Sequence, residues 1–156
     1  MKKVLIALDY GPTAQKVAEQ GYSLAQKLGA KVILLHVVND AVYYSSTEYS
    51  PIMGFEGFMD VTQYQSGTVE GLIKSSNHFL EKTKLHLGDE VIQTSVKEGD
   101  IADSIIKAAK EYQADIIVLG THSRKWLEDI VMGSVAKDVL NHAQIPLFII
   151  PTKKRS

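Results

Sequence analysis

Apolar residues along this chain fall into two alternating rhythms. Val4 to Leu8 is an unbroken apolar run, the pattern of a strand covered on both faces. Asp9-Tyr10-Gly11-Pro12 ends it. From Thr13 to Leu28 the rhythm changes to steps of three and four through Ala14, Val17, Ala18, Gly21, Leu24, Ala25 and Leu28, which predicts a helix stopped by Gly29. Lys31 to Val38 is a second buried strand. A helix is predicted from Thr68 to Leu87, on Val69, Leu72, Ile73, Ser76, Phe79, Leu80, Thr83 and Leu87. Glu90 to Lys97 alternates in twos, which predicts a strand nearer a sheet edge. Asp100 is placed to cap a helix running through Tyr112, with Ile101, Ile105, Ala108 and Ala109 on its inner face. Asp115 to Leu119 is another buried strand, Ser134 to Asn141 a last helix, and Pro146 to Ile150 a last strand.

Five strands alternating with helices predict an α/β fold: a doubly wound parallel sheet, helices on both faces, right-handed crossovers. Ligands of such folds bind beyond the carboxyl ends of the strands, where strand order reverses. Asp9, Val37 to Asn39, and Gly120 all stand at such ends and are expected to share one cleft. The stretch from Ile116 to Leu140 adds chemistry. An apolar run stops at Gly120, a polar loop follows, and Gly133-Ser134 opens a helix. Unpaired amides at a helix N-terminus, with the helix dipole behind them, suit a phosphate.

Several side chains have two readings. Asp9 can face the cleft as a ribose or magnesium contact, or cap the following helix. His36, among Ile, Leu and Val, reads as a hydrogen-bonded core histidine rather than a ligand. His122 is either an anion contact or an exposed loop residue. His78 and His86 are eight apart and lack the His-x-x-x-His zinc spacing. Trp126, Leu127, Ile130 and Val131 read as a packing turn of helix. Residues 39–66, with six aromatics and no Lys or Arg, predict a variable, acidic, tyrosine-rich flap or insertion.

Bulk composition excludes more than it selects. At 156 residues the chain fits one domain, expected over 1–152 with a loose basic tail at 153–156. A net charge of -1 gives no general attraction to nucleic acid or to an acidic membrane surface. The absence of cysteine rules out disulfides, thiolate metal sites and cysteine nucleophiles. The first apolar run is too short for a signal peptide, and nothing approaches a membrane span, so a cytoplasmic protein is expected. There is no Walker lysine motif and no nucleophile elbow, so the expectation is a binding protein rather than a dedicated catalyst. A response-regulator receiver needs an acidic pair that Lys2-Lys3 and Asp9 do not supply. Adenylating enzymes of related fold carry a Ser-Gly-Gly loop after the first strand, where this chain reads Asp9-Tyr10-Gly11-Pro12-Thr13.

Taken together, Lys3 to Asp9, Val32 to Val38, and Ala114 to Gly120 resemble the universal stress protein family. The ATP-binding branch of that family carries Gly, two residues, Gly, nine residues, Gly, then Ser or Thr. Here Gly120, Ser123, Gly133 and Ser134 keep that spacing, with serine in place of the second glycine. The resemblance implies a five-stranded sheet in the order 3-2-1-4-5, a Rossmann-like three-layer sandwich of the adenine nucleotide hydrolase type. It implies homodimers paired through the last strand, Leu147 to Ile150, and a stress-response role. It also implies a site for ATP (or ADP or AMP) with Mg²⁺. Ala7, Leu8 and Asp9 would contact the nucleotide, with Asp9 by the ribose or phosphates and near the metal. The Val37 main chain would meet adenine. Gly120, His122, Ser123 and Arg124 would line the phosphate loop, and Gly133, Ser134 and Val135 would hold the terminal phosphates. The alternative is a protein-interaction module of the same fold that binds no nucleotide, for which Ser123 is the supporting feature.

Overall fold

The computed structural model describes residues 2–9, 13–39, 69–121 and 133–152. The elements are β1 (Lys3–Ala7), α1 (Ala14–Leu28), β2 (Lys31–Val38), α2 (Val69–Leu87), β3 (Gln93–Glu98), α3 (Ile101–Tyr112), β4 (Ile116–Gly120), α4 (Ser134–His142) and β5 (Leu147–Ile150). The strands form one sheet in the order β3-β2-β1-β4-β5, every pairing parallel. The order expected from the family resemblance is therefore the order found.

Strand periodicity sorts the core into two layers. Val4, Ile6, Val32, Leu34 and Val118 point to one face, where Val17, Ala18, Ala25, Phe79 and Leu80 of α1 and α2 cover them. Leu5, Ile33, Leu35, Ile117 and Leu119 point to the other, under Ile105, Ala108, Ala136 and Val139 of α3 and α4. With both faces covered, the central strands must be apolar throughout, which is why they read as continuous runs. β3 lies at an edge and is correspondingly mixed: Ser95 is buried, while Gln93 and Glu98 are exposed.

The helix ends follow local chemistry. The Asp100 carboxylate accepts from the Asp103 N–H at 2.9 Å and caps α3. Gly29 takes φ 64° after α1, and the N–H groups of Gly29 and Ala30 return to the carbonyls of Gln26 and Ala25. β3 starts three residues later than its alternation suggests. Asp89 accepts from the Val91 N–H at 2.9 Å and holds a turn there, leaving Val91 74% exposed. The expected flap, apart from Asn39, lies outside the described residues, as do Trp126 with its neighbours and the basic tail. Among the described residues no helix is long and apolar enough to cross a membrane.

Candidate functional site

Strand order reverses between β1 and β4, because β2 and β3 lie on one side of β1 and β4 and β5 on the other. A cleft of about 200 Å³ opens there, at the carboxyl ends of the strands. Ala7, Leu8, Asp9, Val37, Gly120, Gly133, Ser134 and Val135 all line it. His122, Ser123 and Arg124 lie outside the described residues.

At one end of the cleft the sheet offers main chain. The Leu8 N–H donates to the Leu35 carbonyl at 2.8 Å, so the peptide groups of Leu35 face β1. The Val38 carbonyl, on the opposite phase, accepts from Gly99 beside β3. Two residues beyond Leu35, the N–H and C=O of Val37 turn again toward β1, which has ended at Ala7. Val37 thus presents a donor and an acceptor to the cleft. Asn39 closes this end, its side-chain amide donating to the Gly99 carbonyl at 3.1 Å.

At the other end stands the start of α4. Gly133 takes the cap position with extended backbone and no side chain to cap the helix. Its own N–H donates to the Thr121 carbonyl. Helix geometry therefore leaves the N–H groups of Ser134, Val135 and Ala136 without an intrahelical acceptor, and Gly133 is a hinge-side brace rather than a donor to the cleft. Ser134 is exposed at the mouth, beside the positive end of the helix dipole. Gly120 also has a packing role, beside the one its motif suggests. A Cβ there would stand 2.9 Å from Thr152 Cγ2 and from Val17 Cγ2, so close packing demands glycine.

Asp9 stands two residues past the end of β1, lines the cleft and is partly buried. His36 fixes the chain just before it. The imidazole is 4% exposed, lies edge-on to Phe79 at 6.1 Å, and donates from Nδ1 to the Leu8 carbonyl at 2.8 Å. Burial pushes its pKa down to about 4, outweighing the upward pull of that hydrogen bond. His36 is thus a neutral core histidine, as its apolar neighbours imply, and it also reaches the cleft wall.

Sequence reasoning missed Thr121, Ile101 and Ile105 as cleft residues. Thr121 directly follows the first loop glycine and was within reach of the motif. Ile101 and Ile105 reach the cleft because α3 begins at the carboxyl end of β3, a placement visible only once strand order is known. Among the described residues no cluster of three or more metal-ligating side chains occurs.

A model of the Universal stress protein family matches residues 1–151. The chain belongs to the universal stress protein family. It is similar to Universal stress protein A of Escherichia coli strain K12, with 27% identity over 153 residues, covering 97% of this chain and 95% of that protein. A solved structure of the universal stress protein of Methanocaldococcus jannaschii matches with a TM-score of 0.72 and 24% identity, covering 99% of this chain and 98% of that one. A universal stress protein in complex with cAMP matches with a TM-score of 0.63 and 16% identity over 97% of this chain and 98% of that one. A family member from Arabidopsis thaliana with AMP bound gives a TM-score of 0.59 and 20% identity, covering 99% and 93%. At these identities the structural likenesses establish the shared fold.

Proposed function

We propose that this universal stress protein is a regulatory homodimer that binds an adenine nucleotide, ATP with Mg²⁺ foremost, in the cleft between β1 and β4. One observation carries the reading. The cleft sets an open main-chain donor and acceptor at Val37 opposite the uncommitted first-turn amides of α4, with the Asp9 carboxylate also on its wall. An adenine edge fits the first, phosphate oxygens fit the second, and the two belong to one molecule. The family members that hold cAMP and AMP support adenine as the base.

Magnesium fits this donor set. Mg²⁺ keeps several waters and takes one or two carboxylates plus phosphate oxygens, and a single carboxylate is what Asp9 provides. Asp9 would hold the metal, which in turn would neutralise the phosphates. Ser134 would add a hydroxyl beside the amides. The proposed role is regulatory rather than catalytic, with hydrolysis at most slow.

Titration calorimetry of ATP–Mg²⁺ into nucleotide-stripped protein tests this. One site per chain with a dissociation constant on the order of micromolar is expected, about -8 kcal/mol. No heat, with no nucleotide carried through purification, overturns the reading in favour of a protein-interaction module. Dimers are proposed to pair along the outer edge of β5, where Phe148 is 40% exposed on a strand with sheet neighbours on one side only. Sedimentation at twice the chain mass is expected, and a monomer at micromolar concentration removes the dimer from the proposal.

A further inference from the structure

Thr121 is a junction. Its N–H donates to the Ile150 carbonyl at 3.0 Å, continuing the β4–β5 ladder past its last strand residue. Its Oγ1 accepts from the Thr152 N–H at 2.9 Å and shares a hydrogen bond with Thr152 Oγ1 at 3.1 Å. Its carbonyl accepts from the Gly133 N–H at the head of α4. The two threonines are 6% and 2% exposed. The Thr152 methyl closes over Gly120, which has no Cβ because Thr152 occupies that space. Lys16 of α1 donates to the Pro151 carbonyl at 2.7 Å and holds the same segment from the other side.

Every hydrogen-bonding group of Thr121 is therefore used, the N–H and hydroxyl toward the end of β5 and the residues after it, the carbonyl toward the start of α4. A threonine buried merely for packing would satisfy its hydroxyl within its own element, as Ser75, Ser76 and Thr83 do on α2. Thr121 instead ties the end of β4 to the residues after β5 and to the start of α4. We infer that Thr121 and Thr152 are positioning residues for the phosphate end of the cleft: the segment after β5 sets where the first-turn amides of α4 stand. This deepens the nucleotide reading and rests on it, since the amides matter only if an anion meets them. It also assigns a function to Thr152, which lies behind Gly120 and Thr121 and does not itself line the cleft. The mechanism is direct. A fixed Thr121 carbonyl fixes the Gly133 N–H, and Gly133 begins the helix. Without the hydroxyl pair, that carbonyl is held by strand pairing alone, and the amides lose their preorganisation.

The test compares Thr152→Val and Thr121→Val, nearly isosteric losses of the hydroxyl, with Thr152→Ser and Thr121→Ser, which keep it. Two readouts apply to each folded variant. The first is affinity for ATP–Mg²⁺ against affinity for adenosine, which shares the base and sugar but carries no phosphate. Thr152→Val is expected to weaken ATP by about tenfold, the effect of one hydrogen bond, while adenosine stays within about twofold. The serine variants should restore wild-type ATP affinity. Equal losses for ATP and adenosine overturn the inference, because a general structural role weakens both; so does unchanged ATP affinity. The second readout needs no ligand: amide hydrogen exchange at Gly133 and Lys137, whose N–H groups are bonded to the Thr121 and Gly133 carbonyls at the head of α4. Faster exchange there in Thr152→Val, with the β1 and β2 amides unchanged, is expected. Unaltered exchange overturns the inference even if the wild-type protein binds no nucleotide, an outcome that would separately defeat the nucleotide reading. If Thr121→Val fails to fold, the Thr152 pair decides alone.

Discussion

Replacing Ser134 with proline is expected to weaken ATP binding by about 100-fold and to leave the fold nearly untouched. Ser134 is the first residue of α4, after the Gly133 cap. Proline is welcome at that position, because its missing N–H has no intrahelical partner and its fixed φ already suits a helix. The preceding residue must then be extended, and Gly133 already is, with φ -72° and ψ 166°. Stability should therefore change by no more than about 0.5 kcal/mol. Two donors to phosphate disappear at once, the amide and the hydroxyl. Hydrogen bonds to charged groups contribute about 1.5–3 kcal/mol each, so the pair amounts to roughly two powers of ten or more. Calorimetric titration beside a thermal melt checks both halves. A Ser134→Pro protein that melts normally and binds ATP like wild type would remove the start of α4 from the site.

Acid is expected to destabilise the protein through His36 well before the carboxylates are all protonated. In the folded chain its pKa is about 4, against an ordinary value of 6.5. The unfolded chain therefore binds the proton more readily, and stability falls as pH falls from 6.5 toward 4. The full effect over that window is about 3 kcal/mol, of which about 2 kcal/mol is gone by pH 5. His36→Asn retains a side-chain N–H for the Leu8 carbonyl but cannot titrate. It should start less stable, for want of contact with Phe79, yet lose that much less between pH 7 and pH 4. Urea unfolding of the two proteins at pH 7, 5.5 and 4 measures the difference. Parallel pH profiles would mean that His36 is reached by water. Because Leu8 immediately precedes Asp9, nucleotide affinity should decline over the same window.

The layered α/β architecture was legible because buried parallel strands carry no polar face. Runs such as Val4 to Leu8 and Ile116 to Leu119 announce themselves. Helix faces are legible where small residues recur, as at the buried Ala14, Val17, Ala18 and Ala25. Boundaries slipped at β3, where the Asp89 turn removes Val91 from the strand, a side-chain effect that alternation does not register. Within the cleft, the strand-end positions were legible from topology alone. Two details were not. Gly120 reads as a phosphate-loop glycine, but its packing against Val17 and Thr152 depends on residues over 100 positions before it and 32 after it. Gly133 reads as an amide donor, yet its N–H is already bound to Thr121. No pattern of residue types shows which of several neighbouring amides is already taken.

The peptide groups of Val37 project past the end of β1, and they are the same whatever side chain residue 37 carries. The base selection proposed for them would leave almost no trace in the sequence. Alanine scanning would pass over it, and random mutagenesis could exchange valine for isoleucine indefinitely without touching it. Only chemistry on the backbone reaches it. An ester in place of the Val37 amide, introduced by semisynthesis, deletes that N–H, weakens the His36 carbonyl as an acceptor and leaves every side chain in place, so it would separate discrimination of the base from the packing that residue 37 also provides beneath it.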